Sequence, residues 1–218
     1  MTKLVLLDVD GTLVDSARII LDSQAEACAE HGVAFPGREI GLSVVGLSLE
    51  IALTELTRRA DLAPAITESY KRIFHEKRQD PNYTEPLYPG VKDTVEALLA
   101  REDVLLGIAT GKSRRGANYI LEREGWTRRM AIIRTADDGP SKPHPAMILG
   151  ACEELGVAPD RTSMVGDSVF DMQMAKAAGA RAIAVSYGFQ PVAALEAAGA
   201  DAVIDRFDEL TGMLRDAA

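Results

Sequence analysis

Beyond residue 88 the sequence keeps one rhythm: a short apolar run, a break rich in glycine or polar residues, then a longer stretch with apolar residues at helical spacing. Strands are predicted at 104–109, 131–135, 162–165, 181–185 and 202–204. Helices are predicted between and around them at 91–101, 114–124, 145–155, 169–178, 192–198 and 207–215. Repeated strand–helix units close into a parallel sheet with helices on both faces, and such sheets bind ligands at the carboxyl ends of their strands. The apolar run Leu4-Val5-Leu6-Leu7 supplies one more strand buried on both faces.

Between that first strand and residue 81 nothing reads as a strand. Helical spacing runs over 16–31, starts again near Arg38, breaks at Gly46, resumes over 48–60, and returns over 64–79. A block of roughly seventy helical residues inside an alternating pattern is an insertion, and long connections of this kind are usually functional. The expectation is an α/β protein with a doubly wound, Rossmann-like parallel-sheet core at 1–14 and 85–218, and an inserted helical cap at 15–84.

Composition sets limits on partners. The chain has 218 residues, 47% hydrophobic and 26% charged, as in ordinary globular proteins. Its formal net charge of -9 argues against general binding of nucleic acid, which rests on basic patches. No apolar run approaches the ~20 residues of a membrane span, and Met1-Thr2-Lys3 leads straight into the first strand with no room for a signal peptide. A cytoplasmic protein acting on a small metabolite, with neither nucleic acid nor membrane as partner, is expected. Cys28 and Cys152 have no spacing that suggests a metal site or disulfide framework. Oligomeric state is not legible.

Four polar clusters follow predicted strands. The first is Asp8-Val9-Asp10-Gly11-Thr12-Leu13-Val14-Asp15-Ser16. Asp8 and Asp10, two residues apart as the chain leaves the sheet, point to the same side and repel each other unless a cation compensates. The second is Thr110-Gly111-Lys112-Ser113-Arg114-Arg115-Gly116, where a hydroxyl, an exposed glycine amide and a helix start make an anion site or simply a capped helix. The third, Ser141-Lys142-Pro143-His144-Pro145, holds Lys142 between a turn and a proline-started helix; His144 is read as structural or at the substrate's edge. The fourth is Val165-Gly166-Asp167-Ser168-Val169-Phe170-Asp171, whose two acids share one helix face and also suit a helix dipole.

The order acids, Thr, Lys, Gly-Asp with a second Asp resembles that of the haloacid dehalogenase-like hydrolases, over the whole core. The resemblance implies a Mg²⁺-dependent phosphatase in which Asp8 is the nucleophile. Asp10 is then the acid that protonates the leaving oxygen and afterwards activates water on the aspartyl phosphate. Thr110, Gly111 and Lys142 bind the transferring phosphoryl group, with Lys142 also offsetting the carboxylates. Mg²⁺ is held by Asp8, Asp167 and the backbone carbonyl of Asp10, and Asp171 acts mainly through metal-bound water. Oxygen ligands of this kind suit Mg²⁺.

Many relatives carry Asn where this chain has Gly111, so a side-chain donor is missing there. Asp10 separates the chain from the haloacid dehalogenases themselves, which lack an acid at that place. No cap lysine, Lys71 and Lys77 included, has the surroundings of a Schiff-base amine. The Lys142-Pro143-x-Pro145 run and the early cap look most like the phosphoglycolate phosphatase branch. A phosphomutase on the same core, or an idle binding or regulatory protein on the same scaffold, are the alternatives. Arg18, the 41–49 loop, Arg114 and Arg115 are the candidates for setting substrate choice, each also readable as a solvated charge.

Overall fold

A computed structural model of the protein describes residues 2–214. The ends of the expected core, Met1 and residues 215–218, and with them the last residue of the helix expected over 207–215, lie outside the described residues.

The six strands are β1 (Lys3–Leu7), β2 (Val104–Ala109), β3 (Ile132–Arg134), β4 (Thr162–Gly166), β5 (Arg181–Val185) and β6 (Ala202–Ile204). They form one parallel sheet in the order β3-β2-β1-β4-β5-β6. β1 pairs with β2 on one side, Val5 opposite Leu106, and with β4 on the other, Val5 opposite Ser163. The chain therefore winds outward from β1 in one direction and then in the other, and the crevice between β1 and β4 is where strand order reverses.

Alternation along β1 divides the core into two layers. Val5 and Leu7 face a cluster built with Val95 and Leu98 of α5 (Val91–Leu99), Ile120 and Leu121 of α6 (Arg114–Arg123), and Trp126. Leu4 and Leu6 face the opposite cluster, with Met147 and Ile148 of α7 (Ala146–Leu155), Met172 and Ala175 of α8 (Val169–Ala178), and Leu195 of α9 (Val192–Ala197). Each fully buried aliphatic side chain contributes about 1.5–3 kcal/mol of transfer free energy, which is why continuous apolar runs are tolerated only in strands covered on both faces.

Of the five helices between β1 and β2, the first four make up the inserted block: α1 (Ala17–Glu30), α2 (Arg38–Ser43), α3 (Leu49–Thr57) and α4 (Ala63–Gln79). Helices α1, α3 and α4 share an apolar cluster of their own, centred on Cys28, Leu53, Leu56, Ile66 and Ile73. Within the block the only pairing outside helices among the described residues is an isolated bridge between Val45 and Leu47. Helix α3 ends at Thr57, short of the expected residue 60, because Arg58 turns into the left-handed region at φ 54°. The expected final helix is a 3₁₀ turn, Phe207–Glu209, followed by the four-residue α10 (Leu210–Met213). Arg206 opens that turn with its backbone amide donating to Glu209, so the chain enters it by a cap rather than by a full helical turn.

Candidate active site

Asp8 follows β1, Thr110 follows β2 and Asp167 follows β4, so the sheet alone brings the three predicted positions to one end of the β1–β4 crevice. Lys142 arrives from the loop after β3. Its side chain is fully buried, with Nζ 2.6 Å from Asp171 Oδ1 and 3.1 Å from Asp8 Oδ1. Burial alone pushes the Lys142 ammonium towards its neutral form, but the charges of Asp171 and Asp8 outweigh that and raise its pKa.

Carboxylate oxygens of Asp8, Asp167 and Asp171 lie within 4.8 Å of one another, all buried. Burial drives the Asp8 carboxyl up to about 6; the Lys142 charge and a Thr110 hydrogen bond hold it down, while Asp171 and Asp10 push it further up. Asp167 is pushed well above the usual carboxylate range by burial, then by the charges of Asp8 and Asp171. Asp171 is satisfied within the protein: Oδ1 accepts from Lys142, and Oδ2 from the Ser168 backbone amide and hydroxyl in a capping box at the start of α8. Asp167 Oδ2 accepts from the Phe189 amide at 2.8 Å and Oδ1 from Thr12 at 3.2 Å. Asp8 Oδ1, although close to Lys142, is buried with no hydrogen-bond donor. An all-oxygen, anionic, buried donor set with one oxygen unsatisfied fits a hard divalent cation such as Mg²⁺.

Close approach of the backbone makes this crowding possible. Gly11, at φ +78°, lies against the Asp167 carboxylate, and any Cβ there would collide with it.

The carboxylate of Asp10 stands outside the three-acid cluster. Its oxygens lie 2.7 and 3.0 Å from Lys112 Nζ, and Oδ1 also accepts from Ser16 at 2.6 Å. Burial pushes this carboxyl up, but Lys112, Ser16 and Arg78 together carry its pKa below the usual value. Beyond Lys112 lies Glu85, buried and bound through both oxygens by Arg78 at 2.7 and 2.9 Å. Sequence reading passed over Lys112, Glu85 and Arg78, since only the fold shows that Arg78 of α4 and the loop after β2 face each other. An arginine directed inward from the last turn of α4, beyond the buried Ile66 and Ile73, adds nothing to the helix's apolar period.

A cavity of about 530 Å³ lies between the helical block and the sheet's loops. Asp8, Asp10, Thr110 and Lys112 line its floor; Tyr70, Phe74 and Arg78 of α4, with the Gly46–Glu50 segment, form its roof. Of the arginines considered for substrate choice, Arg115 lines the cavity. Arg18 instead donates to the Asn82 carbonyl and pairs with Asp22, and Arg114 pairs with Asp138, so neither is among its lining residues. His144 accepts from the Ala146 amide at the start of α7, a structural task.

Gly111 has a physical reason. A Cβ at this position would collide with the Gly46 carbonyl oxygen and stand 2.8 Å from that of Leu47, so the roof loop closes onto the bare backbone. Gly111→Ala is expected to cost about 1–3 kcal/mol of stability by overpacking against backbone. Urea unfolding measures this; an unchanged midpoint would mean that the 46–47 loop retreats freely.

Comparisons with known proteins place these features in context. The family model described as haloacid dehalogenase-like hydrolase matches residues 5–185. The probable phosphatase IndB of Dickeya dadantii is 33% identical, covering 97% of this chain and 93% of that protein. The phosphoglycolate phosphatase of Agrobacterium fabrum is also 33% identical, covering 98% and 93%. Among solved structures, a predicted phosphatase from Clostridium acetobutylicum superposes with a TM-score of 0.83 at 26% identity, covering 98% of each chain.

Proposed function

The chain belongs to the haloacid dehalogenase-like hydrolase family, and from that premise we propose that it is a Mg²⁺-dependent phosphatase acting on a small, phosphoglycolate-like phosphate monoester. The observation that carries this reading is the buried Asp8–Lys142–Asp171–Asp167 constellation at the strand-order reversal, whose Asp8 lines a cavity of metabolite size.

Asp8 attacks phosphorus as the ester P–O bond breaks, giving an aspartyl phosphate, and Asp10 delivers a proton to the departing oxygen. Water then attacks the phosphorus, Asp10 takes its proton, and phosphate leaves with the Asp8 carboxylate restored. Thr110, the Gly111 amide and Lys142 hold the phosphoryl oxygens. Lys142 is already locked by Asp171, so it needs no reorientation when phosphate arrives. Asp8, Asp167 and the Asp10 backbone carbonyl would hold Mg²⁺, which supplies positive charge against the carboxylates and the anionic substrate. Asp171, with both oxygens already taken by Lys142 and Ser168, suits an outer role in that site.

We assign residues 1–14 and 85–218 to the catalytic core and 15–84 to a cap, a division supported by the separate apolar cluster shared by α1, α3 and α4. Among the described residues no helix is long and apolar enough to cross a membrane. A cytoplasmic location, with a small phosphorylated metabolite rather than nucleic acid or membrane as partner, belongs to the same reading; Cys28 and Cys152, both free and buried, suit a reducing compartment.

The test is a panel of phosphate monoesters followed by stoichiometric release of inorganic phosphate and by kcat/KM. Excess chelator is expected to stop turnover and Mg²⁺ to restore it, with a rise in Tm on adding Mg²⁺ because the cation relieves the buried acids. Asp167→Ala should require higher Mg²⁺ for whatever activity it keeps. Full turnover in chelator, or no phosphate released from any monoester, overturns the reading.

A further inference from the structure

The loop after β5 touches both the acid cluster and the helical block. Gly188 lies so close to Asp167 that any Cβ there would collide with it, and the amide of Phe189 donates to Asp167 Oδ2 at 2.8 Å. Phe189 itself packs against the apolar patch of Ala17, Leu21 and Leu42 on α1 and α2. Gln190, buried, spans the same two sides. Its Oε1 accepts from the Val169 amide, the first of α8, at 2.9 Å, and its Nε2 donates to the carbonyl of Ser43, the last residue of α2, at 3.1 Å. A carboxamide suits this place because one contact needs an acceptor and the other a donor.

Ser43 leads directly into the roof of the cavity, and the roof rests on the acid turn as well. At Gly46, φ +108°, a Cβ would stand 2.8 Å from Ser168 Oγ, and two residues on the Ser48 amide donates to Ser141 Oγ at 2.8 Å. The Phe189 amide aims Asp167 only while its loop keeps its place beside α8, and Gln190 ties that loop to α8 and to Ser43 at once. Resting on the phosphatase reading above for the identity of the ion, we propose that Gln190 is a positioning residue that couples the seating of the roof to the aim of Asp167. Lifting the roof draws on the Ser43 contact and on Phe189, and so on the amide that holds Asp167. Coupling of this kind is reciprocal, so an ion that fixes Asp167 also favours the seated roof. Gln190 reaches the ion through Asp167 and its loop, as partners behind a metal ligand do.

Amide hydrogen exchange with and without Mg²⁺ tests this in the absence of substrate. In the wild type, Mg²⁺ is expected to slow exchange over residues 43–49 by about fivefold. Gln190→Met keeps the length of the side chain and removes both hydrogen bonds. Its exchange over 43–49 should be about tenfold faster and no longer respond to Mg²⁺, and calorimetry should give about tenfold weaker Mg²⁺ binding. Gln190→Glu keeps the acceptor for the Val169 amide in either protonation state, so it should bind Mg²⁺ no more weakly than the wild type. Exchange over 43–49 that ignores Mg²⁺ in the wild type overturns the proposal. So does a Gln190→Met protein that keeps either the response or the affinity, or a Gln190→Glu protein that binds Mg²⁺ as weakly as Gln190→Met. The wild-type measurement decides even if a variant does not fold. Failure of the phosphatase reading appears separately, as absence of phosphate release from every monoester, and leaves the exchange result standing.

Discussion

Asp8→Asn is expected to lower phosphate release to background, a loss on the order of 10⁴-fold or more, while the protein folds and still binds phosphate through Thr110 and Lys142. The amide keeps the shape of the carboxyl and removes only its nucleophilicity and charge. The same substitution has a second signature in metal-free protein. The Asp8 carboxyl titrates near 6 when folded, above its ordinary value of 3.8, so the stability it contributes is complete below about 4 and is lost as pH rises through about 6. An amide in its place cannot titrate, so the variant's stability should fall less steeply over that window. Phosphate release near the wild-type rate would mean that water attacks the ester directly and that Asp8 is not the nucleophile.

Asp10→Asn is expected to split substrates by their leaving group. A nitrophenyl ester needs little protonation of its departing oxygen, whereas an alkyl ester needs a great deal, so the variant should lose on the order of 10² to 10⁴ more on the alkyl ester. Breakdown of the aspartyl phosphate still requires a base. With the nitrophenyl ester the variant should therefore release a burst of nitrophenol and stall with phosphate on Asp8, an adduct that rapid quenching and mass spectrometry detect. Equal slowing of both esters with no adduct would reassign Asp10 to holding Lys112 in place.

Much of the architecture was legible because its causes are local. β2, β5, β6 and α8 have the bounds that apolar spacing alone predicts, since each is a short run closed by glycine, polar residues or a cap. The C-terminal segment was misread as one helix because Phe207, Leu210 and Leu214 repeat at helical spacing, yet the first of these belongs to a 3₁₀ turn. At the site, residues that follow strands could be placed by the rule for parallel sheets. Charge pairs between the helical block and the sheet's loops could not: Arg78 and Glu85 lie close in sequence, but nothing in the chain tells which of the scattered acids and lysines complete their set. Gly111 was legible only as a departure, and its cause, the carbonyl of Gly46, is a contact across sixty-five residues.

The central place of β1 carries a consequence for how the molecule is made. This strand is hydrogen-bonded on both edges, yet its partners begin at Val104 and Thr162, so it is synthesised long before either exists. At a ribosome adding about 5–20 residues per second, its unpaired edges wait several seconds for the first neighbour and longer for the second. The helices at 17–79 have no such wait, because their shared apolar cluster is complete within their own stretch. Nascent chains should thus carry an ordered helical block beside an unpaired, aggregation-prone strand. Chaperone dependence ought to concentrate in the interval between the emergence of residue 79 and that of residue 166.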